Sequence, residues 1–324
     1  MKEIIILNLG WNGSIIGDQL QEQLAIENQI QDLNLLNKES DFLIKSFYYE
    51  TQNGQFIPKT VFVDSDTQFQ KKKMYAKQNF SSFRQMVEKC ENLQGVLVIN
   101  TTNQNYDNYI KEQQQLIPTV PFYFVNLIED QISFSQQISL LKCYEMLKEY
   151  AEVCLQINGS VFLENKQYTT YPPRNISQFL SFCLASINQP YKKQLDITTF
   201  SQHLFLDYDQ KFLSCGFDNT YVNSFNNNYG GINYQEGKFN KTGLIIRGEP
   251  NLEQVKLVQD ITQIPIQMGI LEKVYPGIAQ ISNHSNNVNI LAKTIKKFEQ
   301  IPKQFFNIDY EVNEGLNQIV AAYQ

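Results

Sequence analysis

Five short runs rich in Ile, Val and Phe recur along the first half of the chain: IIILNL at 4–9, TVFVD at 60–64, GVLVI at 95–99, VPFYFV at 120–125 and SVFL at 160–163. Unbroken apolar runs of this length suit strands buried on both faces, the habit of parallel sheets. Between them the apolar spacing becomes helical. Residues 18–33 repeat Leu20, Leu24, Ile26, Ile30 and Leu33; residues 80–93 repeat Phe80, Phe83, Val87, Cys90 and Leu93; residues 134–155 repeat Phe134, Ile138, Leu141, Met146, Ala151 and Leu155. Strand alternating with helix predicts an α/β fold, a doubly wound parallel sheet over residues 1–170.

After TTYPPRN, whose prolines can open a helix, residues 175–188 carry Ile176, Phe179, Leu180, Phe182, Cys183, Leu184, Ala185 and Ile187 around nearly the whole circumference. A helix apolar all round is expected to lie buried between two bodies, here as a central helix over 171–190. Strand signals at 243–246 (GLII) and 278–282 (IAQIS) precede an amphipathic helix with Val288, Leu291, Ile295 and Phe298. These predict a smaller α+β domain over 191–300, with a short helical segment at 301–324.

Bulk properties exclude several classes of function. With 324 residues, 42% hydrophobic, the chain can bury a large core. A net charge of -6 without a long basic run lacks the footprint of a nucleic-acid binder. Cys90, Cys143, Cys154, Cys183 and Cys215 form no CxxC pair and read as small buried hydrophobes in a reducing compartment. No apolar run reaches the 18 or so residues of a membrane span, and the opening lacks the plan of a signal peptide, so a cytoplasmic protein is expected. The Asn-rich stretches at 103–109 and 223–231 read as extended polar loops.

The stretch LNLGWNGSIIGDQL at 7–20 has the form of a strand turning through glycines into a helix, where a phosphate is commonly received. Trp11 stands between Gly10 and Gly13, where a phosphate would need close backbone approach. A dinucleotide fingerprint is not supported, since no acidic residue closes a second strand about 20 residues on. His203 and His284, the two histidines, lie too far apart in sequence to suggest a triad or metal cluster. The lysine runs at 71–73 and 296–297 read as solvated faces, either able to meet an acidic partner.

In order along the chain, several segments resemble tubulin. KEIIILNLGWNGSIIGDQL resembles the family's first strand and first phosphate loop, and PKTVFVDSDTQ (58–68) its second strand and acidic loop. NLQGVLVI (92–99) is similar to the strand before the glycine-rich loop, and SVFLEN (160–165) to the segment carrying a base-recognising Asn. ISQFLSFCLASI (176–187) resembles the central helix and QLDITTFSQHL (194–204) the loop and helix after it. GLIIRGE (243–249), ISNHSNNVNILAKTIKKFEQIPKQFF (281–306) and YEVNEGL (310–316) are similar to an intermediate-domain stretch, the last strand and the C-terminal helices. The resemblance implies a tubulin-like fold and, in an intact relative, GTP with Mg.

The chain departs from that family where chemistry is expected. NTTNQNYDNY (100–109) contains no glycine where the resemblance places the main phosphate cradle, and side chains there oppose close approach of the backbone. In the first loop, Gly10, Asn12, Gly13 and Ser14 stand as vestigial nucleotide-binding positions, and Trp11 is expected to fill or cover part of the pocket, the alternative being an indole packed beside an intact site. Asp66 aligns with a metal-linked carboxylate and Asn165 with the base reader, both expected to be inherited polar residues without a present task. Thr199 aligns with the acid that positions water against a neighbour's nucleotide, and its hydroxyl lacks the basicity for that role. Where the resemblance places a long lateral-contact loop, the stretch between Phe217 and Lys238 is compact and polar, so side contacts are expected to be reduced, and the acidic tail of that family is expected to be missing.

These observations lead to the expectation of a non-catalytic, nucleotide-free tubulin-like structural subunit without metal or cofactor. It would be held by protein partners, tubulin among the candidates, in a cytoskeletal or ciliary assembly, with a mitochondrial complex as the other setting. A GTP-binding minor tubulin or switch joining microtubule ends is the alternative. A nucleotide-dependent enzyme is weaker, for want of a convergent acid, base or nucleophile.

Overall fold

The computed structural model describes residues 3–27, 41–52, 56–63, 82–101, 106–128, 133–158, 172–187, 210–218, 237–247, 251–262, 266–271, 277–299 and 310–323. The strands are β1 (Glu3–Leu9), β2 (Tyr48–Glu50), β3 (Phe56–Pro58), β4 (Thr60–Val63), β5 (Leu93–Thr101), β6 (Phe122–Ile128), β7 (Ala151–Asn158), β8 (Phe212–Asp218), β9 (Phe239–Arg247), β10 (Ile266–Leu271) and β11 (Gly277–His284). The helices are α1 (Gly10–Glu27), α2 (Asp41–Phe47), α3 (Phe83–Glu88), α4 (Asp107–Leu116), α5 (Phe134–Tyr150), α6 (Pro172–Ile187), α7 (Leu252–Thr262), α8 (Asn289–Glu299) and α9 (Tyr310–Ala322). The protein is mixed α/β, with a large, mostly parallel sheet and helices. Two compact units divide it.

The first unit draws on Met1–Thr101, Asn108–Val125 and Lys166–Phe200. In it β1 lies between β4 and β5, parallel to both, with Leu9 opposite Val63 and Asn8 opposite Ile99. Every residue of β1 is buried, which its run of isoleucines permits on both faces. At its start Glu3 forms a buried ion pair with Lys59, and Lys59 Nζ also donates to the carbonyl of Lys45 while Glu3 accepts the amide of Asn92. Ser82 opens α3 with a capping box, its hydroxyl accepting the Gln85 amide and the Gln85 side chain accepting the Ser82 amide. Helix α6 packs on α1, where Ser177 Oγ donates to the Ile16 carbonyl at 2.9 Å.

The second unit draws on Thr102–Asp107, Asn126–Asn165 and Ser201–Gln324. Its strand order is β7-β8-β11-β9-β10; β7 and β8 are parallel, β11 runs antiparallel to both β8 and β9, and β9 and β10 are parallel. Helix α7 lays Val255 and Val258 against Leu244, Ile246 and Ile278. A second capping box, Ser133 with Gln136, opens α5.

The helix expected over 134–155 stops at Tyr150. Ala151 turns extended (φ -82, ψ 130) and the chain continues at once as β7, so Ala151 and Leu155 belong to a strand. At this corner Lys211 Nζ donates to the carbonyls of Lys148 (2.6 Å) and Ala151 (2.8 Å), so a cation distant in sequence meets groups that the end of the helix leaves without a partner inside it. Strands β8 and β10 and helix α7 carry no pattern singled out above, while the SVFL run at 160–163 lies outside the described residues. Helix α1 begins at Gly10, well before the residue 18 expected. Phe80, Ile30 and Leu33 lie outside the described residues, and Leu93 begins β5 rather than ending a helix.

Candidate functional site at the ends of β1 and β5

Strand β1 sends the chain first to β4 on one side and then to β5 on the other, which makes its carboxyl end a topological switch point. In open α/β sheets ligands bind outside such ends. The turn into α1 is a single residue: Gly10, buried, at φ 72. That left-handed backbone is open to glycine at little cost and strained for most others. Gly13 then brings the first turn of the helix onto β5, since a Cβ there would lie 2.7 Å from the Ile99 carbonyl oxygen. One turn later Gly17 faces Asn8, whose amide would overlap any side chain at that position. Asn8 Nδ2 in turn donates to the Val61 carbonyl at 3.3 Å, tying the turn to β4.

Trp11, expected to occupy part of the pocket, is 48% exposed. Asn12 is half-buried. Ser14 is fully buried, its hydroxyl without a hydrogen-bond partner among the described residues. From β5, Asn100 and Thr101 are buried at the same end of the sheet. The structure therefore gathers Gly10, Trp11, Asn12, Gly13 and Ser14 with Asn100 and Thr101. Asp66, Asn165 and Thr199 lie outside the described residues, as do 102–105.

The residues gathered here carry amides, hydroxyls and one indole, groups that hydrogen-bond and pack but do not exchange protons near pH 7. The helix after β5, α4, opens with Asp107, a carboxylate at the positive end of its own dipole. Two turns of that helix hold Tyr109, whose phenol is pushed up to about 12 by burial and then by the charge of Glu112. Cys90 near the Glu3–Lys59 pair is pushed up to about 11, chiefly by burial and next by Glu3, with Lys59 opposing, so it stays a thiol. Among the described residues no group of three or more His, Cys, Asp or Glu is placed to hold a metal ion. No described helix is long and apolar enough to cross a membrane.

Asn8 and Gly17 were not singled out from the sequence. The signal was present as an Asn inside an otherwise apolar strand, nine positions before a glycine.

The fold is that of an α/β protein, and residues bearing amide and hydroxyl groups stand at the switch point of its sheet. No protein-family model matches the chain. Among curated proteins it is similar to the chloroplastic terpineol synthases of Nicotiana langsdorffii and Nicotiana alata, 24% identical over 107 residues in each case. The similarity covers 31% of this chain and 20% of each synthase, so the chain spans about a fifth of the length of the curated relatives it matches.

Proposed function

We propose that the protein is a tubulin-like structural subunit that has given up nucleotide chemistry and serves as a fixed part of a larger protein assembly, cytoskeletal or ciliary in the first instance and mitochondrial in the second. The observation that carries this reading is the first turn of α1, where Trp11 stands exposed between Gly10 and Gly13 and Gly13 is taken up by close packing on Ile99 of β5. The glycine-free stretch at 100–109 and the carboxylate of Asp107 point the same way. Thr199 in place of an acid removes the group that would orient water. Without hydrolysis a subunit cannot time its own release, which suits a permanent component better than a dynamic polymer.

The test is nucleotide extraction. Protein purified without added nucleotide is denatured in acid and the supernatant resolved by ion-pair chromatography, alongside titration with a fluorescent GTP analogue in the presence of Mg. The expected result is less than a tenth of an equivalent of guanine nucleotide and no saturable binding in the micromolar range. Stoichiometric GTP would overturn the nucleotide-free reading.

One observation favours the alternative, a GTP-binding minor tubulin or switch. Gly10 keeps the left-handed turn and Ser14 keeps a buried hydroxyl without a partner among the described residues, both features that an anion at the start of α1 could use. A rise in Tm on adding Mg and GTP, lost in Ser14→Val, would support it.

A further inference from the structure

We infer that the outer face of α8 is a docking surface for an acidic segment of a partner protein. This goes beyond the reading above: the helix belongs to the second unit, and the inference holds whether or not nucleotide binds at the end of β1. Helix α8 buries Leu291, Thr294 and Ile295 and exposes Asn289, Lys293, Lys296 and Lys297. At 100° per residue the four exposed positions fall within about 100° of arc, a single face. Lys293 stands three and four residues from the other two lysines, so all three ammonium groups are neighbours. Among the described residues none forms an ion pair with them.

Two of these lysines have a local reason to be present, since Lys296 and Lys297 lie in the last turn, where cations complement the helix dipole. Lys293 does not. It sits a turn earlier and repels both, a penalty of a few tenths of a kcal/mol per like-charged pair in an isolated helix. With no carboxylate paired to it among the described residues, a face that raises the helix's own energy fits a countercharge brought by a partner. The overall negative charge also selects the occupant. An extended polyanion or an anionic bilayer is repelled by the protein as a whole, whereas a short acidic peptide contacts only this face within a Debye length of about 10 Å.

The experiment uses the full chain and a fluorescein-labelled peptide of ten glutamates, followed by anisotropy at low salt and at 0.3 M NaCl. The wild type is expected to bind in a salt-dependent manner, and the triple variant Lys293→Gln, Lys296→Gln, Lys297→Gln to bind about tenfold more weakly or not at all. The charge-reversed variant, with Glu at the same three positions, is expected to lose the acidic peptide and bind a decalysine peptide instead. Circular dichroism melts confirm that each variant folds, as substitution of exposed lysines should permit. Equal affinity of wild type and triple Gln variant for the acidic peptide would overturn the inference. So would tighter binding of the wild type to duplex DNA or to vesicles of one-third phosphatidylserine than to the peptide, in which case the face serves a different polyanion.

Discussion

The hydroxyl of Tyr323 donates to the carbonyl of Phe212 at 2.7 Å and accepts the amide of the same residue at 2.8 Å. One side chain thus supplies both bonds that a neighbouring strand would otherwise give to the first residue of β8. Gln210 adds a bond from its side chain to the Ala322 carbonyl at 2.6 Å, so the end of α9 is fastened beside the start of that strand. Tyr323→Phe keeps the ring but leaves a buried N–H without its acceptor, while the carbonyl retains the side-chain amide of Asn287 at 2.6 Å. The expected cost is about 1–3 kcal/mol. Urea unfolding should show a lower midpoint with an unchanged slope, and an unchanged midpoint would refute this account of the contact.

His284 accepts the amide of Asn286 through Nδ1 and meets the ring of Phe239 edge-on, centroids 4.7 Å apart. Burial pushes its pKa down to about 4 from an ordinary 6.5. The native imidazole therefore stays neutral where the unfolded one takes up a proton. Below pH 6.5 the unfolded state binds more protons, so stability that is full above that pH is lost as pH falls towards about 4. The loss should reach at most about 3 kcal/mol. His284→Asn keeps an acceptor without the titration, and its unfolding free energy between pH 6.5 and 4 should fall less steeply than that of the wild type.

The Glu3–Lys59 pair is closed on both sides, by the Asn92 amide and the Lys45 carbonyl. Lys59→Met strands a buried carboxylate and should cost about 3–5 kcal/mol. Adding Glu3→Gln removes the charge but keeps an acceptor for Asn92, and most of the loss should return. Thermal melts of the two single variants and the double variant form a cycle; a double variant as unstable as Lys59→Met would show that packing, not charge, sets the cost.

Trp11 is the one tryptophan of the chain, and it is 48% exposed. Its emission should lie to the red and be quenched readily by iodide. Trp11→Ala should change stability by no more than about 0.5 kcal/mol. Gly13→Ala, by contrast, forces a Cβ to within 2.7 Å of the Ile99 carbonyl and should cost about 1–3 kcal/mol. Equal effects of the two substitutions on urea midpoints would contradict the geometry at the start of α1.

Strands β1, β4 and β5 were legible because unbroken runs of Ile and Val have few other uses, and α6 because it is apolar on every side. Strand β8 was not: FLSCGFD places Ser and Gly among its apolar residues. It is a strand because Ser214 pairs with Ser282 of β11 and with Gln156 of β7, partners 68 and 58 positions away that no local pattern announces. At the site, Gly10 and Gly13 could be picked out by eye. The exposure of Trp11 could not, because it depends on α1 starting at Gly10, which sets where on the first turn the indole points. The end of α5 was misplaced for a related reason. Ala151 and Leu155 continue the helical spacing, and what places them in a strand is pairing with β8, more than fifty positions on, together with the Lys211 cation at the corner.

That cation, Lys211, lies 63 residues beyond Lys148 and 60 beyond Ala151, the carbonyls it satisfies. A glycine turn would have finished the helix on the spot. Here one carbonyl of the last turn of α5 and the first carbonyl of β7 share a cation brought in at the start of β8, so the full set of bonds at this corner exists only once residue 211 is in place. The corner between helix and strand is therefore closed from a distance, and loss of that one ammonium leaves the carbonyls of Lys148 and Ala151 without this donor.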